Sequence, residues 1–317
     1  MFSKKIKIST NSSIFVILAI LLAVGFAVNP RFGSARNILS MLRQAVPLGI
    51  LTLGASFVMI SGGVDLSVAA TIQLVPMFFT FGYALYGVPG LIIGIFLALL
   101  VGFVIGLING IVVTKGLVQP FLATLFMGVI LVGIRYMILG SKPAGIMPES
   151  LQNFVKGSIG PIPNAIIVLI IIAVVCHAVL NNTVFGRNLI AVGTNKSASN
   201  FSGVKVDLTT IISYCISSVV AVLSAIMVSG YIGFADGDIA TGYEFDVLLV
   251  AVLGGNALGG GRSSVSGILG GAFVVTVLLS IVIIFGLDVN YQYIIKGSIL
   301  LLAAIINTLV SKKKFLQ

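Results

Sequence analysis

A chain of 317 residues in which 58% are hydrophobic and only 8% charged, with a mean hydropathy of +1.21, has too little polar side chain to cover a soluble globule. Soluble domains carry about 25% charged residues, so this is an integral membrane protein. Its apolar residues come in long runs rather than short alternating segments, which favours helices over an outer-membrane barrel. The net charge of +10 does not mark a nucleic-acid binder. The basic residues sit in short loops and at the two ends, at Lys4, Lys5, Lys7, Lys312, Lys313 and Lys314, as orientation in a membrane requires.

About 20 apolar residues cross the hydrocarbon core. In chain order the candidate spans are roughly 12–29, 44–61, 64–86, 89–113, 120–140, 163–181, 208–231, 246–258, 265–286 and 291–310. The first is followed by Asn29-Pro30-Arg31 rather than a small-residue cleavage site, so it reads as a span and not as a removed leader. About ten spans put both Lys-rich ends on one face, which the positive-inside rule makes cytoplasmic. Lys115, Arg187, Lys196, Lys205 and Arg262 then fall inside. Glu149, Asp236, Asp238, Glu244, Asp246 and Asp288 fall outside, with Arg31, Arg36 and Arg43 in a first external loop that runs against the rule. The expectation is one all-α polytopic bundle over residues 1–317, with Gly-broken segments and both termini cytoplasmic.

Two glycine clusters interrupt the spans. Ser61-Gly62-Gly63 separates the second from the third, and the short eighth span ends in Gly254-Gly255 and runs into Gly259-Gly260-Gly261. At about 13 residues that span rises roughly 20 Å against a core of about 30 Å. Broken backbone at membrane depth survives only against protein or a water-filled cavity, and glycine breaks in corresponding positions of two halves point to a central pathway. Phe57–Ala70 and Val250–Ser263 are weakly alike.

Few residues carry chemistry. There is no phosphate-binding glycine loop followed by lysine and no His-Glu-x-x-His, and two isolated thiols, Cys176 and Cys215, make neither a disulfide framework nor a metal motif. The single histidine, His177, reads as an interfacial side chain, and an enzyme is not expected. Asp65 is the acidic residue placed inside the bundle, where it either caps the third span, favoured by the helix dipole, or lines a pathway together with Gly62, Gly63 and Ser67. A buried charge is costly unless paired or snorkelling. Lys296, near the outer end of its span, is expected to snorkel, and Arg135, deeper, to face the bundle interior. Asn109 is expected to bond helix to helix.

One interior stretch, Thr183 to Val206, is polar and basic and lies between two spans, with Arg187, Lys196 and Lys205 in it. A part-helical island of this kind on the cytoplasmic face suits the docking of a partner.

Four segments resemble the membrane permease subunits of ribose-type (simple-sugar) ABC importers. They are Gly62-Gly63-Val64-Asp65-Leu66-Ser67-Val68; Gly106 to Val113 with Gln119-Pro120-Phe121-Leu122-Ala123-Thr124-Leu125; Phe185-Gly186-Arg187 through Gly193, Asn195, Ala198 and Ser202-Gly203-Val204; and Gly242-Tyr243-Glu244-Phe245-Asp246 with Leu253-Gly254-Gly255, Leu258-Gly259-Gly260-Gly261 and Ser264. The resemblance runs from about Asn37 to Asn307. Departures are Ala69-Ala70 where Gly-Ser is usual, Val132 where many members have arginine, with Arg135 three residues on, and Asn256-Ala257 for a small polar pair.

The resemblance implies a multi-pass protein of the bacterial plasma membrane. Such a subunit has no cofactor of its own, because ATP is bound by a cytoplasmic ATPase partner. It pairs with a second permease subunit, identical or related, and receives a small sugar from an extracytoplasmic binding protein. The stretch holding Phe185, Gly186, Arg187, Gly193, Asn195, Ala198, Ser202 and Gly203 would be the ATPase-coupling loop. Gly62, Gly63, Asp65, Ser67, Asn109, Arg135, Glu244, Gly254 and Gly255 are the candidates for the translocation path or its gate. The alternatives are an ABC permease for nucleosides or branched-chain amino acids, a membrane scaffold, or a secondary transporter driven by an ion gradient. The last usually works through intramembrane carboxylates or histidines, in which this chain is poor.

Overall fold

The computed structural model describes residues 10–315 except 141, 144, 236, 258 and 289, and of residues 10–13, 303, 304 and 306–315 only the backbone. Lys4, Lys5, Lys7, Asp236, Leu258 and the side chains of Lys312, Lys313 and Lys314 thus lie outside the described residues. The elements in order are α1 (Thr10–Val28), a 3-10 turn (Pro30–Gly33), α2 (Ala35–Ile60), α3 (Ser67–Leu74), α4 (Pro76–Thr114), α5 (Pro120–Leu139), β1 (Gly145–Ile146), α6 (Glu149–Lys156), β2 (Ser158–Ile159) and β3 (Ile162–Pro163). They continue with α7 (Asn164–Asn182), α8 (Val184–Thr194), α9 (Lys196–Phe201), α10 (Val206–Ile232), β4 (Phe234–Ala235), α11 (Tyr243–Leu253), α12 (Val265–Ile284) and α13 (Asn290–Phe315). Among the described residues six helical stretches are long and apolar enough to cross a membrane, and a shorter apolar helix, Ile14–Val28, precedes them. The protein is an all-α, multi-pass membrane protein. Its strands are two-residue pairs, β1 with β4 and β2 with β3, that tie loops together.

The helix ends follow local chemistry. Ser34 Oγ accepts from Asn37 N at 3.3 Å and starts α2 well before the expected position 44, so Arg36 and Arg43 lie in the helix rather than in a loop. The expected span 64–86 is divided, because α3 stops at Leu74 and Pro76, which has no N–H to continue it, opens α4. The longest apolar stretch, Ser67–Thr114, does not cross in one pass. At Gly87 (φ 63°, ψ −141°) α4 doubles back. A β-carbon on Gly90 would lie 1.9 Å from the Gly82 carbonyl oxygen, and one on Gly94 would lie 2.4 Å from that of Phe78, so the two legs run antiparallel in backbone contact. The outer face of the second leg exposes Ile92, Ile93, Phe96, Leu100 and Phe103, a surface suited to lipid. The expected span 246–258 is α11, shifted to 243–253, and the polar helix α6 was not foreseen.

At the centre stands α10, with α2 on one side and the second leg of α4 on the other. In lipid, apolar burial does not drive helices together; close packing and hydrogen bonds do. Gly102, Gly106 and Gly110, spaced four apart on α4, meet the α10 backbone: added β-carbons would lie 3.0 Å from Ser218 O, 2.4 Å from Tyr214 O and 2.7 Å from Ile211 Cα. Toward α2, Gly54 abuts Val220, and Ser224 Oγ donates to Pro47 O at 2.7 Å. Five serines of α10 (Ser213, Ser217, Ser218, Ser224 and Ser229) are fully buried.

Candidate functional site

The first glycine break closes α2 with a reversed turn. Ser61 N donates to Phe57 O, Gly62 N to Met59 O and Gly63 N to Val58 O, with Gly62 at φ +83°. This is the Schellman arrangement, which satisfies carbonyls that a helix end leaves open and needs a left-handed residue. The chain then runs without regular structure to Leu66, whose N–H is held by Thr124 Oγ1 at 3.1 Å from α5.

Asp65 lies in this irregular segment, 3% exposed. Its Oδ1 accepts from Ser67 N at 3.0 Å and from Ser67 Oγ at 2.6 Å, and its Oδ2 accepts from Ser217 Oγ of α10 at 2.8 Å. Asn109 of α4 donates through Nδ2 to Ser67 Oγ at 2.9 Å. The carboxylate thus ties the break, α3, α4 and α10 into one network, each charged hydrogen bond contributing about 1.5–3 kcal/mol. It serves the first N–H of α3 from two positions back, while the formal cap position, Leu66, makes no side-chain bond. Beside this network the Tyr214 hydroxyl is buried without a partner, 2.7 Å from where a β-carbon of Gly63 would stand.

The second break repeats the first. Gly254 N donates to Val250 O, Gly255 N to Val252 O and Asn256 N to Ala251 O, with Gly255 at φ +80°. In the alignment of Phe57–Ala70 with Val250–Ser263, Gly62 falls on Gly255 and the three bonds coincide one for one. Asn256 Oδ1 then accepts from Ser264 N at 3.0 Å, and Ser264 Oγ caps α12 by accepting from Gly267 N at 3.1 Å.

The two breaks touch each other and the polar island at one place. Gly261 N donates to Ile60 O at 2.9 Å, bridging the second break to the end of α2. Gly193, in the last turn of α8, wedges between them: a β-carbon there would lie 1.7 Å from Ile60 O and 2.6 Å from Gly261 N. Phe185 stacks on Phe57 with ring centroids 6.4 Å apart, and Gly186 packs on the Leu180 carbonyl. Leu189, Val192 and Ser199 are buried on the same side, and the polar face of the island is turned outward. Thr183 caps α8, Asn195 Oδ1 caps α9 by accepting from Ala198 N, and Ser202 Oγ returns to Ala198 O. Gly203 turns the chain at φ +82° into α10. Arg187, Lys196 and Lys205 are exposed, as is Phe201, at 92%. Lys115, just past α4, pairs with Asp207 beside them.

Two candidates stand apart from this cluster. Arg135 is 3% exposed, its guanidinium 4.2 Å from the Tyr136 ring centroid and pressed against Gly237, beyond the far end of α10 from the island. Glu244 lines a cavity of about 280 Å³ with Leu66, Gln73, Val132 and Thr241. Two expectations need correction. Asp246 is not in an external loop but 1% exposed within α11, and Lys296 does not snorkel: its Nζ donates to Asp246 Oδ2 at 2.8 Å. Desolvating either charge alone costs more than desolvating them as a bonded pair. Sequence reasoning also missed Ser217 and Tyr214, and named Thr124 only within a motif, without its role. The visible signal was the run of small polar residues in an otherwise apolar α10, which in lipid marks a helix-packing face.

A family model described as branched-chain amino acid transport system / permease component matches residues 37–304. Among curated proteins, the chain is 30% identical over 308 residues to a ribose import permease protein of Haemophilus influenzae, covering 95% of this chain and 94% of that protein. It is 31% identical over 295 residues to the ribose import permease protein of Bacillus subtilis (92% and 91% covered). It is also 31% identical over 326 residues to the galactose/methyl galactoside import permease protein of Escherichia coli (95% of each). No solved structure matches the chain significantly.

Proposed function

Because the chain belongs to the family of branched-chain amino acid transport system permease components, we propose that it is the membrane-spanning subunit of an ATP-driven importer of a simple sugar, in the bacterial cytoplasmic membrane. The observation that carries the reading is the wedge of Gly193 between Ile60 and Gly261. It places an exposed basic island in backbone contact with both broken helices, the arrangement needed if energy enters from a cytoplasmic ATPase. The choice of sugar over amino acid follows the named relatives, which match nearly end to end and import ribose or galactosides.

In this reading the island, with Arg187, Asn195, Ala198, Ser202 and Gly203 on its open face, seats in the ATPase. Gly62, Gly63, Asp65, Ser67, Asn109, Gly254 and Gly255 form the hinge and wall of the path, and Arg135 and Glu244 belong to its outer end. The chain crosses about ten times, with the turn at Gly87 joining two of the crossings and both termini in the cytoplasm. A second permease subunit completes the path, and an external sugar-binding protein loads it. The chain hydrolyses nothing itself; ATP is bound by its partner.

Reconstitution in proteoliposomes with the ATPase and binding protein tests this. Labelled ribose or galactose should accumulate only with ATP and all three components, and a protonophore should leave uptake intact. Uptake that persists without ATPase and collapses with the proton gradient would return the chain to the secondary transporters. Preferential uptake of leucine would return it to the substrate in the family's description.

A further inference from the structure

Asp246 stands in the wall shared by two cavities. One, of about 260 Å³, also contains Lys296; the other, of about 230 Å³ among α2, α10, α11 and α12, does not. Oδ2 of Asp246 is taken by Lys296, whereas Oδ1 is buried and has no hydrogen-bond partner. An ionised carboxylate oxygen accepts two hydrogen bonds, and burying it without a donor is destabilising. Asp246 lines the second cavity as well, so a donor admitted there lies beside a carboxylate with one oxygen unpartnered. Its wall also holds the Tyr231 and Tyr243 side chains and Thr276, with Gln44 at the mouth. Tyr243 lies one turn before Asp246 on the same face of α11, and the Tyr231 hydroxyl is engaged only at 3.3 Å, by Ser40 Oγ.

We propose that this cavity is a binding station for one neutral sugar ring, with Asp246 Oδ1 accepting a ring hydroxyl and a tyrosine face receiving its C–H side. The inference rests on the sugar-importer reading above and extends it to a specific site. Three features select this chemistry. Lys296 already neutralises Asp246, so a cation gains little there. Among the described residues the cavity lining contains no basic side chain, so the carboxylate of an amino acid has no partner there. A monosaccharide brings hydroxyl donors on one edge and an apolar C–H surface on the other, which matches a carboxylate flanked by aromatic rings. The volume suits a single ring rather than an oligosaccharide.

The test uses the full-length protein in lipid nanodiscs. Both native cysteines are buried, so a Gln44→Cys variant offers one accessible thiol to a small methanethiosulfonate reagent. Saturating ribose or galactose should slow its modification several-fold, and leucine should not. Adding Asp246→Leu, which removes both accepting oxygens, should abolish the protection. If that variant fails to fold because Lys296 loses its counter-charge, the Asp246→Leu/Lys296→Met pair, which has no acceptor at position 246, replaces it and should show the same loss. No slowing by either sugar, equal slowing by leucine, or protection that survives the change at Asp246 each overturn the proposal and leave a water-filled cavity. ATP-driven sugar uptake by the unmodified importer, measured alongside, separates the two levels. Uptake without protection removes this site alone; absence of both removes the importer reading as well.

Discussion

Gly193 and Ile60, 133 positions apart by their numbering (193 − 60), meet so closely that a β-carbon on the glycine would stand 1.7 Å from the isoleucine carbonyl oxygen. The obstacle is backbone, which cannot rotate aside as a side chain would. Gly193→Ala should therefore cost about 1–3 kcal/mol or more through overpacking and lower the detergent-solubilised melting temperature. Gly133→Ala is the control: it sits in α5 with nothing within 4 Å of the added carbon, and should be neutral or stabilising by up to about 1 kcal/mol. Equal melting temperatures for the two variants would refute the wedge.

Asp65 and Ser217 should behave as a coupled pair. Asp65→Asn replaces one accepting oxygen with an amide nitrogen, and Ser217→Ala removes the donor across 152 positions of chain. Each change should destabilise by about 1.5–3 kcal/mol, and the double variant should fall short of their sum by about 0.5–3 kcal/mol. A double-mutant cycle by thermal unfolding measures this; strict additivity would mean the two residues act independently. Uptake should fall with Asp65→Asn.

Breaking the buried ion pair on one side is the severe case. Lys296→Met leaves Asp246 charged and unpartnered, a loss of about 3–5 kcal/mol. Adding Asp246→Leu should recover much of it, because an apolar replacement of both partners is often neutral. Chemical denaturation of the two variants checks the order: the double should be the more stable.

The exposed face of the island should separate stability from coupling. Arg187 is exposed, so Arg187→Glu should leave unfolding within about 0.5 kcal/mol of the parent. Pull-down with the ATPase and ATP-driven uptake should both drop. Unchanged association and uptake would show that docking does not use this side chain.

What the sequence revealed and what it hid follow a physical pattern. Ser61-Gly62-Gly63 and Gly254-Gly255 were legible as breaks because a left-handed residue at a helix end needs glycine, and both closed as the same turn. The spans were legible from apolar length, and their ends shifted where caps such as Ser34 prevailed over hydropathy. Asp246 was misplaced for the opposite reason. A charge beside an apolar run reads as a loop, and only the fold shows that Lys296, 50 positions away, neutralises it. Ser217 was missed because a serine in an apolar helix has no visible partner until the distant segment is placed beside it.

The glycine ladder of α4 carries a further consequence. At Gly102, Gly106 and Gly110 a β-carbon on α4 would stand within 3.0 Å of α10 main-chain atoms, so little side-chain volume lies between the two helices to shear or repack. The two helices form a stiff plank, and a permease built around it has to change shape at its creases, residues 61–66 and 254–264, rather than by sliding one wall along the other. Slack introduced into the plank by a larger residue at Gly106 would therefore blunt every motion that uses those creases, wherever in the molecule the motion began.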